Sequence, residues 1–299
     1  MSQQVPSDSS NSKISLATLQ DKKDCSDPIV AVTAYDYPTA RVADAAGVDL
    51  ILVGDSLAMV VLGYENTLPV TMDEMLHHCR AVARGSKRAF MTGDMPFLSY
   101  QVDVSEAVRN AGRFLSDAGM DSVKLEGGRR MASTVRAIVE AGIPVMGHIG
   151  LTPQAIHQLG GFRVQGRSSN TARALLDDAI ALEKAGCFAI VLEAVPGRVA
   201  TLISEWLNVP TIGIGAGSGC DGQVLVSNDL LGLFDRFTPR FVKKYSNLRV
   251  EMLNAFERYR DEVGRRDFPG AEHTFGIPDD EWQTFIDSLE DLRPSGKHS

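Results

Sequence analysis

Residues 30–56, VAVTAYDYPTARVADAAGVDLILVGDS, contain two short β-rich runs, at 30–35 and 50–54, on either side of a segment at 39–46. The apolar residues of that middle segment recur at three- and four-residue steps, which is typical of a helix, whereas short runs rich in Val, Ile and Leu are typical of strands. This part of the sequence therefore predicts a strand, a helix and a second strand in succession.

The same alternation continues to about residue 226. The predicted strands are residues 30–35, 50–54, 89–93, 122–125, 144–147, 189–192, 211–215 and, less clearly, 224–226. The predicted helices between them include residues 39–46, 72–83, 104–118, 131–141 and 171–185. Nearly continuous apolar strands are those covered on both faces, so seven or eight such units predict a parallel (β/α)8 TIM barrel. A doubly wound open sheet is the alternative, because alternation alone does not decide closure.

The composition argues against several classes of protein. The 299 residues are 44% hydrophobic and 23% charged, enough for a full buried core. Acidic residues outnumber basic ones by 38 to 30, so the chain lacks the positive charge typical of proteins that bind nucleic acid or anionic membranes. No apolar run reaches bilayer length, and the polar residues 1–13 resemble neither a secretory signal nor a transit peptide. We expect a cytoplasmic protein with a disordered N-terminal tail.

The four cysteines lie far apart in the sequence and form no C-x-x-C pair: Cys25, Cys79, Cys187 and Cys220. This spacing supports neither a disulfide framework nor a cysteine zinc site, and it suits a reducing compartment. We interpret the cysteines as buried or incidental thiols, since free Cys often serves as a small apolar residue.

Ionisable residues end or follow five consecutive predicted strands. They are Asp55 after LILVG, Asp94 after FMTG, Lys124 and Glu126 in SVKLE, His148 after PVMG, and Glu193 after AIVL. The carboxyl ends of barrel strands share one mouth, where the active sites of such barrels lie. Taken alone, Asp55 or Asp94 would serve equally well as a helix N-cap. His148 has two interpretations, as a hydrogen-bonded core residue or as a group that orients the substrate or a base.

Lys124 and Glu126 alternate with Val123 and Leu125 on one predicted strand, so the charged pair and the apolar pair face opposite sides. The apolar pair belongs against the helices, which predicts that Lys124 and Glu126 point into the barrel mouth. Burying two charges costs several kcal/mol per ion, to order of magnitude, unless partners or a metal compensate them. An ion pair between Lys124 and Glu126 is the structural alternative.

Three carboxylates, those of Asp55, Asp94 and Glu126, are predicted to converge in this mouth. Like charges at close range repel one another unless a cation lies among them. Oxygen ligands without clustered His or Cys favour a hard ion, and Mg²⁺ is our prediction.

Seven segments carry a resemblance to a known family. They are GDSLAMVVLGYENTLPVT (54–71), GDMPF (93–97), VKLEGG (123–128), GHIGLTPQ (147–154), FRVQGR (162–167), VLEAVP (191–196) and GIGAGSGCDGQVLV (213–226). In this order they resemble ketopantoate hydroxymethyltransferase. The resemblance implies an α/β fold, a phosphoenolpyruvate/pyruvate-type (β/α)8 TIM barrel, with Mg²⁺ as cofactor and a homodecamer as the usual assembly. It also implies transfer of a one-carbon unit from 5,10-methylenetetrahydrofolate to 3-methyl-2-oxobutanoate (α-ketoisovalerate), which gives 2-dehydropantoate in the first step of pantothenate biosynthesis.

The resemblance also implies roles for individual residues. Asp55, Asp94 and Glu126 would surround the metal, with Asp55 and Glu126 acting at least partly through water. The keto acid would contact Ser56, Asp94 and Lys124, and Glu193 would be the general base. Beyond the resemblance, we also expect Asp55 and His148 to contact the substrate. Each role has a chemical reason. Lys124 adds positive charge near the substrate carboxylate, and Glu193, as a carboxylate not held by the metal, can take the proton from the substrate C–H.

Two motifs within these segments receive a structural interpretation. Gly213, Gly215 and Gly217 are weak as a phosphate-binding signal, and close backbone packing explains them better. In GLTPQ, Thr152 and Pro153 suit the start of a helix, so we expect a local structural role for that motif.

The sequence beyond residue 245 no longer follows the family pattern. IPDDEWQTFIDSL (277–289) predicts a helix that begins near Pro278 and carries four apolar residues on one face: Trp282, Phe285, Ile286 and Leu289. We expect this face to pack on the barrel or on a neighbouring subunit, and recruitment of another protein is the alternative. The predicted organisation is a tail (1–13), a catalytic barrel (14–258) and a C-terminal extension (259–299).

Two other functions stay open. A Mg²⁺-dependent lyase or mutase of the isocitrate lyase and phosphoenolpyruvate mutase kind would share the barrel and the metal chemistry. The chain lacks the reactive Cys in a Lys/Gly loop that isocitrate lyases carry. A non-catalytic scaffold is the other alternative, yet every proposed ligand and the proposed base are present.

Overall fold

Eight parallel strands close into a barrel within residues 12–161 and 163–289, the part of the chain that the computed structural model describes. Each strand pairs with its sequence neighbours, and the last pairs with the first. The strands are β1 (Ile29–Thr33), β2 (Leu50–Val53), β3 (Phe90–Asp94), β4 (Ser122–Glu126), β5 (Val145–Gly150), β6 (Ala189–Glu193), β7 (Thr211–Ile214) and β8 (Gly222–Leu225). The predicted (β/α)8 barrel is confirmed, and closure rules out the open sheet. The N-terminal tail predicted over 1–13 lies largely outside the described residues.

The helices of the described residues alternate with these strands and continue beyond them. They are α1 (Leu16–Asp24), α2 (Tyr37–Ala45), α3 (Leu57–Val60), α4 (Met72–Gly85), α5 (Val104–Ser116), α6 (Ala132–Glu140), α7 (Ile156–Leu159), α8 (Ser169–Ala185), α9 (Gly197–Trp206), α10 (Ser227–Leu230), α11 (Leu248–Arg265) and α12 (Asp279–Ser288). Side-chain oxygens of Asp36, Thr71 and Asp103 accept hydrogen bonds from the first-turn amides of α2, α4 and α5. Such caps explain why these helices begin where they do.

Apolar residues occupy both sides of the barrel wall. Between strands and helices they form one large buried cluster, which includes Val123 and Leu125 as predicted. A second cluster, with Leu50, Phe90 and Met146 among its members, includes residues of the first strands and of β5 to β8. Lys124 and Glu126 alternate with Val123 and Leu125 and line the cavity at the mouth. The strand therefore separates an apolar layer from a charged one.

Two strand glycines bring the outer helices against the backbone beside the mouth. A Cβ atom on Gly93 would collide with the ring of Phe114 in α5. One on Gly147 would lie 2.8 Å from Cδ1 of Leu182 in α8. Gly93 directly precedes Asp94, and Gly147 directly precedes His148. The helix layer thus touches the strand backbone next to both ionisable residues.

The described residues from 247 onward form a second unit. The predicted C-terminal helix is confirmed as α12, which begins directly after Pro278. None of its described residues is buried, and Trp282 and Phe285 are each about half exposed. Among the described helices, none combines the length and apolar character that crossing a bilayer requires.

The described cysteines are all free thiols, as interpreted from the sequence. Cys79 and Cys187 are buried, Cys220 is half-buried, and Cys25 is exposed. Burial raises the pKa of the Cys187 thiol to about 12, so this thiol is uncharged at neutral pH.

Candidate active site

One cavity of about 530 Å³ at the barrel mouth contains every site residue that the sequence predicted: Asp55, Ser56, Asp94, Lys124, Glu126, His148 and Glu193. The strand register explains this convergence. Asp94 is level with Lys124, and Glu126 is level with His148. Glu193 ends β6 and is level with Gly150. Neighbouring parallel strands therefore deliver these side chains to the same rim.

Lys124 forms a buried ion pair with Asp94, with 2.6 Å between Nζ and Oδ2. The sequence left open a pair between Lys124 and Glu126, but the ammonium binds the carboxylate of the adjacent strand instead. Burial lowers the pKa of Lys124, yet the carboxylates of Asp94, Glu126 and Asp55 outweigh burial and raise it above its usual value. Lys124 is therefore a fixed positive charge in the mouth. Oδ2 of Asp94 also accepts a hydrogen bond from the backbone N–H of Asp55 at 3.2 Å.

The remaining carboxylates carry more negative charge than Lys124 neutralises. Burial, followed by repulsion from Asp94 and Glu126, raises the pKa of Asp55 well above its usual value. Two buried carboxylate oxygens, Oδ1 of Asp94 and Oε1 of Glu126, have no hydrogen-bond partner among the described residues. Buried polar atoms are seldom left without partners unless an ion or a ligand completes the site.

These residues suit Mg²⁺, which keeps water ligands, better than they suit a metal ion whose ligands are all protein atoms. Within residues 12–161 and 163–289, no group of three or more His, Cys, Asp or Glu side chains is arranged to hold a metal ion. Mg²⁺ commonly keeps several waters and takes one or two protein carboxylates. Asp94 and Glu126 each have a buried oxygen without a hydrogen bond, and Asp55 lies beside them, so these three carboxylates would hold the ion directly or through water.

His148 lies between two carboxylates at the rim. Its Nδ1 is 3.4 Å from Oε1 of Glu126, and its Nε2 is 3.2 Å from Oε2 of Glu193. Both are ion-pair distances, and neither contact is a hydrogen bond. Burial and the ammonium of Lys124 lower the pKa of His148, but the two carboxylates raise it to about 9. The imidazole therefore carries a positive charge at neutral pH and links Glu126 to Glu193.

Glu193 differs from the other carboxylates in its access to the cavity. Its side chain is 17% exposed, whereas that of Asp94 is 2% exposed. Its nearest charged partner among the described residues is His148. Glu193 thus faces the open part of the cavity and is separate from the Lys124–Asp94 pair.

Gln154 is a site residue that the sequence interpretation missed. Its Nε2 donates to Oδ2 of Asp55 at 3.0 Å and to the carbonyl of Met95 at 2.9 Å. Its Oε1 accepts from the hydroxyl of Tyr100 at 2.7 Å, and its backbone N–H donates to Oε2 of Glu126 at 3.0 Å. Gln154 thus orients two of the proposed metal ligands, Asp55 through its side chain and Glu126 through its backbone.

The structural interpretation of GLTPQ is confirmed in part, because a helical turn does begin at Pro153, but it is incomplete. Thr152 precedes a short 3₁₀ turn, Pro153–Ala155, and its side chain makes no capping hydrogen bond. The turn instead brings Gln154 into the mouth. An uncharged residue in a loop gives no electrostatic signal in a sequence, although the match to GHIGLTPQ pointed to this segment.

Two tyrosines complete the hydrogen bonding around the site. The hydroxyl of Tyr35 is 2.9 Å from Oγ of Ser56, and burial raises the pKa of Tyr35 above its usual value. The hydroxyl of Tyr100 accepts a hydrogen bond from the backbone N–H of Glu126 at 3.1 Å. Neither tyrosine carries a signal in the sequence that separates it from a core aromatic residue.

Gln154→Leu is expected to lower both the melting temperature and the affinity for Mg²⁺. The change removes a hydrogen-bond donor to Asp55 and to the Met95 carbonyl, and a buried polar group that loses its partner costs about 1–3 kcal/mol. Calorimetry and Mg²⁺ titration measure the two effects. Gln158→Leu alters an exposed glutamine of α7 and serves as the matched control. Equal results for the two variants would contradict the assigned role of Gln154.

Comparison with known proteins identifies the family. The model of the ketopantoate hydroxymethyltransferase family matches residues 13–271. A relative from Moorella thermoacetica is 60% identical over 264 residues, which cover 88% of this chain and 98% of the relative. A relative from Oleidesulfovibrio alaskensis is 57% identical over 266 residues, which cover 88% of this chain and 92% of the relative. Both relatives are named 3-methyl-2-oxobutanoate hydroxymethyltransferase.

Solved structures of similar fold come from another group of barrel enzymes. Phosphoenolpyruvate phosphomutase from Streptomyces platensis subsp. rosaceus matches with a TM-score of 0.58 and 15% identity, over 93% of this chain and 97% of that one. A 2,3-dimethylmalate lyase of the PEP mutase/isocitrate lyase superfamily matches with a TM-score of 0.54 and 16% identity, over 92% of this chain and 98% of that one. These likenesses show the barrel type alone. The family model and the highly identical relatives establish that the chain belongs to the ketopantoate hydroxymethyltransferase family.

Proposed function

We propose that the protein transfers a one-carbon unit from 5,10-methylenetetrahydrofolate to 3-methyl-2-oxobutanoate in a Mg²⁺-dependent reaction. The products are 2-dehydropantoate and tetrahydrofolate, and water supplies the oxygen of the new hydroxymethyl group. The observation that carries this proposal is the arrangement of one buried Lys–Asp pair, two buried carboxylate oxygens without a hydrogen bond and a separate, more exposed glutamate in one cavity. Such a site suits removal of a proton next to a carbonyl group.

Asp94, with Asp55 and Glu126 acting through water, would hold the metal. When bound, Mg²⁺ supplies electrostatic stabilisation of the negative charge that develops on the carbonyl oxygen of the keto acid. Lys124 contributes a positive charge that Asp94 holds in position at 2.6 Å, ready for the substrate carboxylate. The hydroxyl of Ser56 is held by Tyr35 and can donate to the same substrate.

Glu193 acts as the general base. Its carboxylate takes the proton from C3 of the keto acid, and the electron pair of that C–H bond forms the enolate. Water hydrolyses the methylene bridge of the folate: both C–N bonds break, the two protons of the water go to the two folate nitrogens, and the carbon leaves as formaldehyde with the oxygen of the water. The enolate carbon then attacks the formaldehyde carbon, and the resulting alkoxide takes the proton held by Glu193 to become the hydroxyl group. His148, in contact with Oε2 of Glu193, orients the base.

A single assay tests the proposed function. Purified protein with Mg²⁺, 3-methyl-2-oxobutanoate and 5,10-methylenetetrahydrofolate should form 2-dehydropantoate, detected by mass spectrometry. Omission of the folate should abolish product formation. Turnover of isocitrate or of a phosphonate without folate, and no 2-dehydropantoate, would instead support a lyase or mutase.

The C-terminal extension, residues 259–299, is the part that we propose for assembly, while residues 14–258 carry the chemistry. Half-exposed Trp282 and Phe285 lie on α12, and covering apolar surface stabilises a contact by roughly 25 cal/mol per Å². We further propose that the protein assembles as a homodecamer in the cytoplasm.

Deletion of residues 276–299 is expected to lower the melting temperature or the mass of the assembly, because the apolar face of α12 loses its contacts. Calorimetry and multi-angle light scattering measure these quantities. Deletion of residues 290–299 alone leaves α12 in place and is the control. If the longer deletion changes neither quantity, α12 is not an assembly element, and recruitment of another protein becomes the better hypothesis.

A further inference from the structure

The seven predicted site residues form only part of the lining of the 530 Å³ cavity. Ligand pockets for larger organic molecules are about 300–1,000 Å³, so this cavity exceeds what a small keto acid needs. Much of its remaining wall is apolar, with Met59, Val60, Phe234, Phe237 and Phe241. The rings of Phe234 and Phe237 meet edge to face with centroids 5.6 Å apart. Phe237 and Phe241 are 45% and 37% exposed, an arrangement suited to a flat aromatic ligand.

Arg240 gives this apolar wall a positive charge. Its side chain lines the cavity, and its guanidinium makes no hydrogen bond or ion pair within the part of the chain that the structure describes. Lys124, by contrast, is already paired with Asp94. Arg240 is therefore a cation available to an anionic group of a ligand.

Arg240 also lies where two cavities join. A neighbouring cavity of about 790 Å³ shares Val164, Ala194, Arg240 and Phe241 with the central one. The ring of Phe241 packs against Gly215, where a Cβ would lie 2.6 Å from Cδ1 of Phe241 and where φ is +64°. This close approach agrees with the packing interpretation of the glycine motif. A long ligand can thus extend from the central cavity past Arg240 into the neighbouring one.

A third cavity, of about 430 Å³, offers a different route to the site. It is lined by Glu126, Gln154 and Arg130, among others, but Glu193 does not line it. If Glu193 removes the C3 proton, the one-carbon donor must reach the same carbon through the cavity that contains Glu193. This requirement favours the wall with Phe241 and Arg240.

We propose that this wall is the folate subsite, and the inference rests on the proposed function. The pterin and benzoyl rings lie on the apolar wall around Phe237 and Phe241, and Arg240 binds the carboxylates of the glutamyl tail. Guanidinium groups pair with carboxylates through strong, charge-assisted hydrogen bonds.

Two co-substrates test the role of Arg240. One is 5,10-methylenetetrahydrofolate, and the other is an analogue in which an uncharged ethylamide replaces the glutamate. Arg240→Gln should raise the KM for the natural co-substrate by roughly tenfold, as expected for loss of a hydrogen bond to a charged group, and should change the KM for the analogue less than twofold. Arg130→Gln, which alters an exposed arginine of the third cavity, is the matched control and should change neither KM.

Two results would overturn the inference. Arg240→Gln could change the KM of both co-substrates equally or of neither, or Arg130→Gln could produce the selective loss instead. A separate measurement shows whether the proposed function itself is at fault. Wild-type protein with Mg²⁺ should exchange the C3 hydrogen of 3-methyl-2-oxobutanoate with D₂O without folate and form 2-dehydropantoate with it. If the wild type does neither, the proposed function fails first.

Discussion

Glu193→Gln is expected to slow exchange of the C3 hydrogen of 3-methyl-2-oxobutanoate with D₂O by roughly 10²–10⁴-fold, the usual contribution of a general base. Glutamine keeps the shape of the side chain and removes its basic oxygen. The amide oxygen of glutamine can still accept from Nε2 of the buried His148, so the change keeps a partner for the imidazole. Proton NMR in D₂O with Mg²⁺ and without folate measures enolisation separately from carbon transfer.

Binding measurements decide whether Glu193 is the base. Mg²⁺ and keto-acid affinities of Glu193→Gln should stay near those of the wild type, since Asp94 and Lys124 are unchanged. If Glu193→Gln weakens binding and slows exchange to the same extent, Glu193 holds the metal or the keto acid and is not the base. Undiminished exchange would assign the base to another group. His148 would be tested first, by a pH profile of exchange, because its imidazole must lose the proton that the two carboxylates stabilise before it can act as a base. Glu205→Gln, at an exposed glutamate of α9, is the matched control.

Chelation of divalent cations with EDTA is expected to abolish turnover, and added Mg²⁺ is expected to restore it. Electrostatic stabilisation by a bound metal is worth several kcal/mol, or about a thousandfold in rate. Asp94→Asn should weaken Mg²⁺ and keto-acid binding together, because one oxygen of Asp94 is free for the metal and the other positions Lys124 at 2.6 Å.

The Asp94→Asn variant should still fold. Breaking a buried ion pair is costly in general, but the carboxylates of Asp55 and Glu126 also act on Lys124 and continue to compensate its charge. Circular dichroism checks the fold, and isothermal titration measures both ligands. Asp73→Asn, at a largely exposed aspartate, serves as the control. Full activity of Asp94→Asn in the presence of EDTA would contradict the proposed metal site.

The sequence predicts the fold and the charged half of the site for the same reason. Apolar strands that alternate with helices predict a barrel, and a barrel places the residues that end its strands at one mouth. The orientation of Lys124 and Glu126 follows from strand alternation alone. The least clear strand, predicted at 224–226, begins earlier at Gly222, because glycine and Gln223 give little β signal.

The partners within the site were harder to predict. Lys124 pairs with Asp94 because β3 and β4 are in a register that makes these two residues level, and a single strand's pattern does not contain that register. Gln154 reaches Asp55 across 99 positions of sequence from a turn that looked purely structural. Arg240 and Phe241 lie in an irregular segment after β8, where neither helical nor strand periodicity applies.

Because of the contacts at Gly93 and Gly147, substitutions in the outer helices can change the catalytic rate during evolution. A close-packed interior passes a change of side-chain volume to its neighbours instead of absorbing it. Larger or differently shaped residues at the positions of Phe114 and Leu182 would therefore shift the backbone beside Asp94 and His148. Adaptation of this enzyme to a new temperature must keep α5 and α8 compatible with these two contacts, even though neither helix residue belongs to the substrate cavity.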